Sequence, residues 1–251
     1  MFYGYGILNN HVPTLKATVM RVGAALSSLL TGLYAVYKGE SNANDSLGAY
    51  NGTAVGGLTY GAGKSGNAFI GNGTNAYVSL PTDTFNSLTG DFSINAWVYF
   101  VNTGITQTIV SSLAYNGASA WGFNITNFGG NSIAIYNGTG TFYTLTEASP
   151  NPYNTWYMVT ITRKASTGTK IYYNGSVSAS NASSVNPVYN TTNHRPSIGA
   201  SSYGPLFSNL VQYYLANGSK IDELNAWNKE LTSTEVTTLY NSGAGKFYPT
   251  F

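Results

Sequence analysis

Nine carboxylates and two histidines carry all the acid–base chemistry that this chain of 251 residues offers. The acidic residues are Glu40, Asp45, Asp83, Asp91, Glu147, Asp222, Glu223, Glu230 and Glu235. Two carboxylates that work as acid and base from one strand stand two residues apart, because alternate side chains share a face. No two of these do. Asp222 and Glu223 are adjacent, so a regular strand would turn them to opposite faces, and Asp222 would share its face with Leu224 and Ala226. The histidines, His11 in NNHVP and His194 in TTNHRPS, lie in turn-like stretches, and no Gly-x-Ser-x-Gly elbow presents a serine to either. With no cysteine, disulfides, thiolate metal sites and cysteine nucleophiles are excluded. The reactive side chains point away from an enzyme.

Composition narrows the partners. Only 8% of residues are charged, the balance is +2, and no basic run is present. That is not the footprint of a nucleic-acid binder. Gly (29) and Tyr (21) are abundant beside Asn, Ser and Thr, a mixture that suits strands, tight turns and uncharged hydrogen-bonding surfaces. The opening MFYGYGILNNHVP lacks the basic start and apolar middle of a signal peptide. Residues 20–37 are interrupted by Arg21, Gly23 and Gly32, so no membrane insertion is expected.

The elements that position these residues follow from periodicity. Leu15, Val19, Val22, Leu26 and Leu29 recur at helical spacing after a Thr14 cap, which predicts a helix over 14–30. From Leu33 the period becomes two. In DFSINAWVYF, Phe92, Ile94, Ala96, Val98 and Phe100 share one face, and Ser93, Asn95, Trp97 and Tyr99 the other. Asn-Gly turns at Asn51, Asn72, Asn116, Asn137, Asn174 and Asn217 separate further short runs. About a dozen such strands predict an all-β, two-sheet antiparallel jelly-roll sandwich over 33–251, behind an N-terminal arm and helix over 1–32. One short helix closes the chain. Thr232 and Glu235 have capping-box spacing, Leu231 and Val236 staple the cap, and Gly243 is the expected stop.

Several segments together resemble the laminin-G-like jelly rolls of the concanavalin A-like lectin/glucanase superfamily. Asp45 to Gly48, Gly63 to Gly66, Phe69 to Gly71 and Tyr77-Val78 are similar to its opening. DFSINAWVYF and NTWYMVTITR are similar to its Trp-bearing strands, and GTKIYYNGSV to its Tyr-x-Asp-Gly hairpin, with Asn174 in place of Asp. KIDELNAWNKELTSTEVTTLYNSG is similar to its closing strand and helix. The resemblance runs over roughly 29–243 in the family's order, which makes it specific for the fold and much less so for function.

The resemblance implies three readings. Laminarinase-type members carry Glu-x-Asp-x-Glu on one strand, a pattern absent here, so hydrolysis of a glycan is the third of them. Lectin-type members rest a sugar on an aromatic ring beside Asn and Gly. The candidates are Tyr115, Trp121, Tyr136, Asn137 and Tyr203, in aromatic-Asn-Gly or aromatic-Gly settings. Calcium, which many relatives bind, would be held by Asp222 with Asp45. The low charge and Gly/Asn/Thr/Tyr bias are also similar to phage surface proteins. The leading expectation is therefore a non-enzymatic virion protein on the exposed particle surface, as a capsid decoration, head fibre or tail adhesin. It would be oligomeric in the assembly and would bind host glycans. The arm, through Phe2, Tyr3, Tyr5, Leu15, Val19 and Val22, would dock on other virion subunits. The second reading is a structural decoration protein that binds no sugar. An extracellular or cell-surface setting is the alternative location.

Overall fold

The computed structural model describes residues 28–115, 119–127, 130–139, 142–148, 151–190, 192, 194–202 and 211–251. The six arm residues named above and Tyr203 lie outside the described residues. Of the helix expected over 14–30, only 28–30 are described, and these are helical.

The alternating stretches form eighteen strands among the described residues. These are β1 (Leu33–Tyr37), β2 (Thr53–Val55), β3 (Thr59–Ala62), β4 (Asn67–Ile70), β5 (Tyr77–Ser79) and β6 (Phe92–Tyr99). Then come β7 (Gln107–Ser111), β8 (Ala114–Tyr115), β9 (Ala120–Asn127), β10 (Asn131–Asn137), β11 (Phe142–Thr146) and β12 (Trp156–Lys164). The last are β13 (Gly168–Tyr173), β14 (Ser176–Asn181), β15 (Ser197–Ile198), β16 (Ser201–Ser202), β17 (Val211–Gln212) and β18 (Lys220–Trp227), followed by helix α1 (Ser233–Tyr240). One antiparallel sheet runs β14-β13-β12-β6-β18-β4-β3, with β1 also on β18. The second runs β11-β10-β9-β7-β15-β5-β2, with β8 also on β9, and β16-β17 form a separate ribbon. The two large sheets make the expected sandwich.

The main core lies between them. Phe92, Ile94, Ala96, Val98 and Phe100 meet Phe123, Ile125, Ile133 and Ile135 from the second sheet there. Trp97, on the other face of β6, belongs to a second apolar cluster with Met158, Trp227, Leu231, Val236 and Leu239. The central strands β6, β12 and β18 of the first sheet are thus buried on both faces, and α1 and the chain end cover Trp97 and Trp227. The C-terminal Phe251 and Leu29 close the same cluster, and the Trp227 indole donates to the Leu29 carbonyl at 2.7 Å.

The α1 cap forms as its spacing predicts, with Glu235 N–H donating to Thr232 Oγ1 and Thr232 N–H to Glu235 Oε2. The helix ends earlier than expected. Asn241, at φ 47°, makes the left-handed turn, two residues before Gly243. Asn accepts this conformation more readily than other residues with a Cβ.

The second sheet has a contrasting outer face. Its register aligns Thr53, Ser79, Ser197, Ser111, Asn124, Ala134 and Thr144 in one row across seven strands. Every member is small and uncharged.

Candidate functional site

The acidic pair departs from its expected geometry. β18 slips register between Asp222 and Asn225, and Glu223 takes φ 48° in a bulge. One extra residue reverses the alternation that follows. Leu224 and Ala226 enter the main core, whereas Asp222 lies opposite Trp97 on the face covered by α1. Asp222 therefore does not share a face with Leu224 and Ala226. Both carboxylates are buried. Asp222 Oδ2 accepts the N–H groups of Lys64 and Ser65 at 2.7 and 2.9 Å, pinning the 63–66 loop. Burial pushes Asp222 up to about 7, against the pull of the Ser65 and Lys64 amides. Burial, and after it the Asp222 charge, push Glu223 up to about 8.

Calcium does not fit this donor set. Asp45 already accepts the N–H groups of Val36, Leu47, Ala49 and Tyr50. Asp222 serves a different loop, and N–H dipoles aimed at a carboxylate favour the anion itself, not a cation beside it. Among the described residues no three His, Asp or Glu side chains gather as a metal site. Burial instead shifts both carboxyls toward their protonated forms.

A second arrangement was not legible in the sequence. Ser112 Oγ lies 2.5 Å from His194 Nε2, and His194 Nδ1 lies 2.6 Å from the Thr82 carbonyl. Nδ1–H therefore donates to the Thr82 carbonyl, and Nε2 faces both the hydroxyl and, at 3.1 Å, the carbonyl of Ser112. This has the form of a nucleophile, a base and an orienting group. Both side chains are 0% exposed, so no acyl group reaches the hydroxyl. Burial lowers the His194 pKa, keeping the ring neutral. The dyad ties three loops together.

Four of the aromatic-site candidates lie on neighbouring strands. Trp121 lies directly opposite Asn137 on β10 and Ala114 on β8; Tyr115 pairs with Ala120, and Tyr136 with Gly122. Four residues from a span of 23 positions thus stand at one end of the second sheet, Trp121 and Asn137 in one cross-strand row and Tyr115 and Tyr136 in the adjacent rows. Gly138 lets the indole lie flat on the turn: at φ 84° a Cβ there would stand 2.3 Å from Trp121 Nε1. Behind them Val188 bridges β9 and β10, accepting from Gly122 N–H and donating to the Tyr136 carbonyl. The four are half-buried and uncharged. An aromatic face beside an amide in such a setting suits a sugar ring, whose C–H face packs on the ring while its hydroxyls meet polar groups.

Comparison with known proteins agrees with the fold. Residues 72–237, more than half of the chain, match the laminin G-type family described as the concanavalin A-like lectin/glucanases superfamily. The chain belongs to that superfamily. Among solved structures, this laminin G-like sandwich is similar to domain 4 of AbnA, a GH43 extracellular arabinanase from Geobacillus stearothermophilus, in complex with arabinotriose. That match has 19% identity and a TM-score of 0.60, and covers 85% of this chain and 98% of that one. It is also similar to the binding domain of botulinum neurotoxin DC in complex with SialylT, at 16% identity and TM-score 0.61, covering 84% of this chain and 51% of that one. The binding domain of botulinum neurotoxin serotype C1 matches at 17% identity and TM-score 0.62, with 84% and 52% covered. The laminin G-like chain spans about half the length of those neurotoxin domains. At such identities the likeness is one of fold. No curated protein matches the sequence.

Proposed function

We propose that this chain is a non-catalytic carbohydrate-binding sandwich whose sugar site is the cluster of Tyr115, Trp121, Tyr136 and Asn137. The observation that carries the reading is the cross-strand pairing of Trp121 with Asn137 at one half-buried sheet end, with Tyr115 and Tyr136 in the adjacent rows. The reactive pairs support the absence of catalysis, because Asp222–Glu223 and Ser112–His194 are both closed to solvent. Two fold neighbours are described with arabinotriose and with SialylT bound, which makes sugars a reasonable class to test first. The proposed setting is the exposed surface of a phage particle, joined through residues 1–32, where the ligand would be a host glycan. That setting rests on the low charge and the Gly/Asn/Thr/Tyr bias of the chain.

Glycan-array binding tests the site. The wild-type chain should bind, and Trp121→Ala should lose binding with an unchanged melting temperature. Undiminished binding by a folded Trp121→Ala variant would place the site elsewhere. Incubation with the bound sugars should release no product. Deleting residues 1–27 should abolish incorporation into particles while leaving glycan binding intact; normal incorporation would refute the docking role.

One observation favours a second reading. Toward the β11 edge the uncharged row is accessible at Asn124, Ala134 and Thr144, a surface on which another subunit could pack without stripping water from charges. If the chain is a decoration subunit that binds no sugar, Thr144→Arg should block assembly and the array should stay blank.

A further inference from the structure

At the other end of the second sheet lies a depression of about 410 Å³, lined by Gly73, Ile105, Thr106, Tyr213 and Tyr214. β7 begins at Gln107, paired with Asn127, so Ile105 and Thr106 stand at the Asn127 end of β9. Trp121 is at the opposite end, six residues away. At ~3.3 Å per residue the separation is roughly 20 Å.

We propose that this depression is a second carbohydrate site, selective for uncharged sugar rings, so that one chain holds two glycans at once. Three features carry the inference. Ile105 is 53% and Tyr213 39% exposed, and these two exposed apolar side chains line the same depression. Tyr213 sits at φ 55°, a conformation a bulky aromatic adopts only under constraint, and such constraint concentrates at functional positions. The walls are fixed in advance. Thr108 N–H donates to the Tyr213 carbonyl at 2.9 Å, and Gly73 N–H donates to the Leu215 carbonyl at 3.0 Å. Buried Gln107 spans the two longer walls, donating from Nε2 to the Val101 carbonyl and accepting at Oε1 from Ala216 N–H. The Tyr214 ring packs against Tyr77 with centroids 6.1 Å apart. A ligand therefore pays little to order the site.

The lining sets the ligand class. It presents two phenol rings, an aliphatic side chain and a threonine hydroxyl, with no charged group among the described residues. Such a surface matches the C–H face and hydroxyls of a neutral sugar. It offers nothing to offset the desolvation of a carboxylate or phosphate. Two sites on one rigid sheet, at opposite ends, would let a chain grip a repetitive glycan with an avidity above either affinity.

The inference rests on the carbohydrate reading for its ligand class, but its residues are disjoint from the Trp121 cluster. Binding of arabinotriose, maltotriose, cellotriose and chitotriose, with sialyllactose as the charged comparison, should be followed by NMR titration. The proteins are wild type, Trp121→Ala, and the double variant Ile105→Ala/Tyr213→Ala, each checked for its melting temperature. The expected result is two sites per chain for a neutral trisaccharide. The double variant should lose one of them, with affinity about tenfold weaker or worse there, and sialyllactose should be excluded from it. A single site that survives the double variant and vanishes in Trp121→Ala overturns this inference and leaves the proposed function standing. A single site lost only in the double variant supports this inference and overturns the Trp121 assignment. Absence of any sugar binding overturns both. Concentration-dependent self-association abolished by the double variant, without sugar binding, overturns the second site in favour of a contact between copies.

Discussion

Glu223 shows how much one residue can change. As the extra residue in the β18 bulge it brings a second carboxylate into the interior beside Asp222, and both then favour the protonated state. Their folded pKa values lie above the unfolded ones. The stability they contribute is therefore complete below about pH 4 and is lost as pH rises through about 7 and 8, where first Asp222 and then Glu223 ionise in the folded chain. His194 acts in the opposite sense. Its folded pKa lies below 6.5, so its contribution is present above that value and is lost as pH falls through the folded pKa. Between pH 6.5 and 8 the pair acts without that opposition. Melting temperature should fall across this window in the wild type, and Glu223→Gln should flatten the fall. An equal slope in both proteins would show that the pair is ionised throughout. Calcium added to chelator-treated protein should leave the melting temperature unchanged, because both Asp45 oxygens and Asp222 Oδ2 already accept amides of two separate loops.

At the scale of elements, α1 is the piece whose worth can be measured most directly. Eight residues do not hold a helix in water, so its order comes from the cap and from the apolar stripe set on Trp97 and Trp227. Thr232→Ala should cost about 1 kcal/mol through the lost cap. Leu239, 1% exposed in the second core, should cost about 2–5 kcal/mol when truncated to Ala. Chemical denaturation reads both as a lower midpoint at unchanged slope; equal losses would mean that the helix is held by its cap alone. The capping box and staple were legible in the sequence because they are local, set by spacing of three to five residues. The bulge in β18 was not. Nothing in KIDELNAW marks where pairing slips, because the slip depends on β6 and β1 holding the strand from both sides.

At the scale of the whole molecule, the second core decides where the chain can be cut. Leu29 is fully buried there, and Lys229 Nζ donates to the Ser28 carbonyl. Removal of 1–30 should therefore lower the melting temperature of the sandwich by several degrees in a thermal scan. The two-sheet architecture was written in the sequence, because period-two alternation and Asn-Gly turns dictate strands with one apolar face, and two such faces must meet. The sequence also determined the poverty of charge, the lack of thiol chemistry and the aromatic-Asn-Gly turns that nominated Trp121 and Asn137. Tertiary structure decided which of those aromatics share a place. It brought Ser112 to His194 and closed both from water, reversed the face of Asp222, and paired Ile105 with Tyr213 across more than a hundred residues. Those outcomes depend on strand register and on loops crossing between sheets. Register is fixed by the best packing of the whole set of strands, not by the residues on either side of a position.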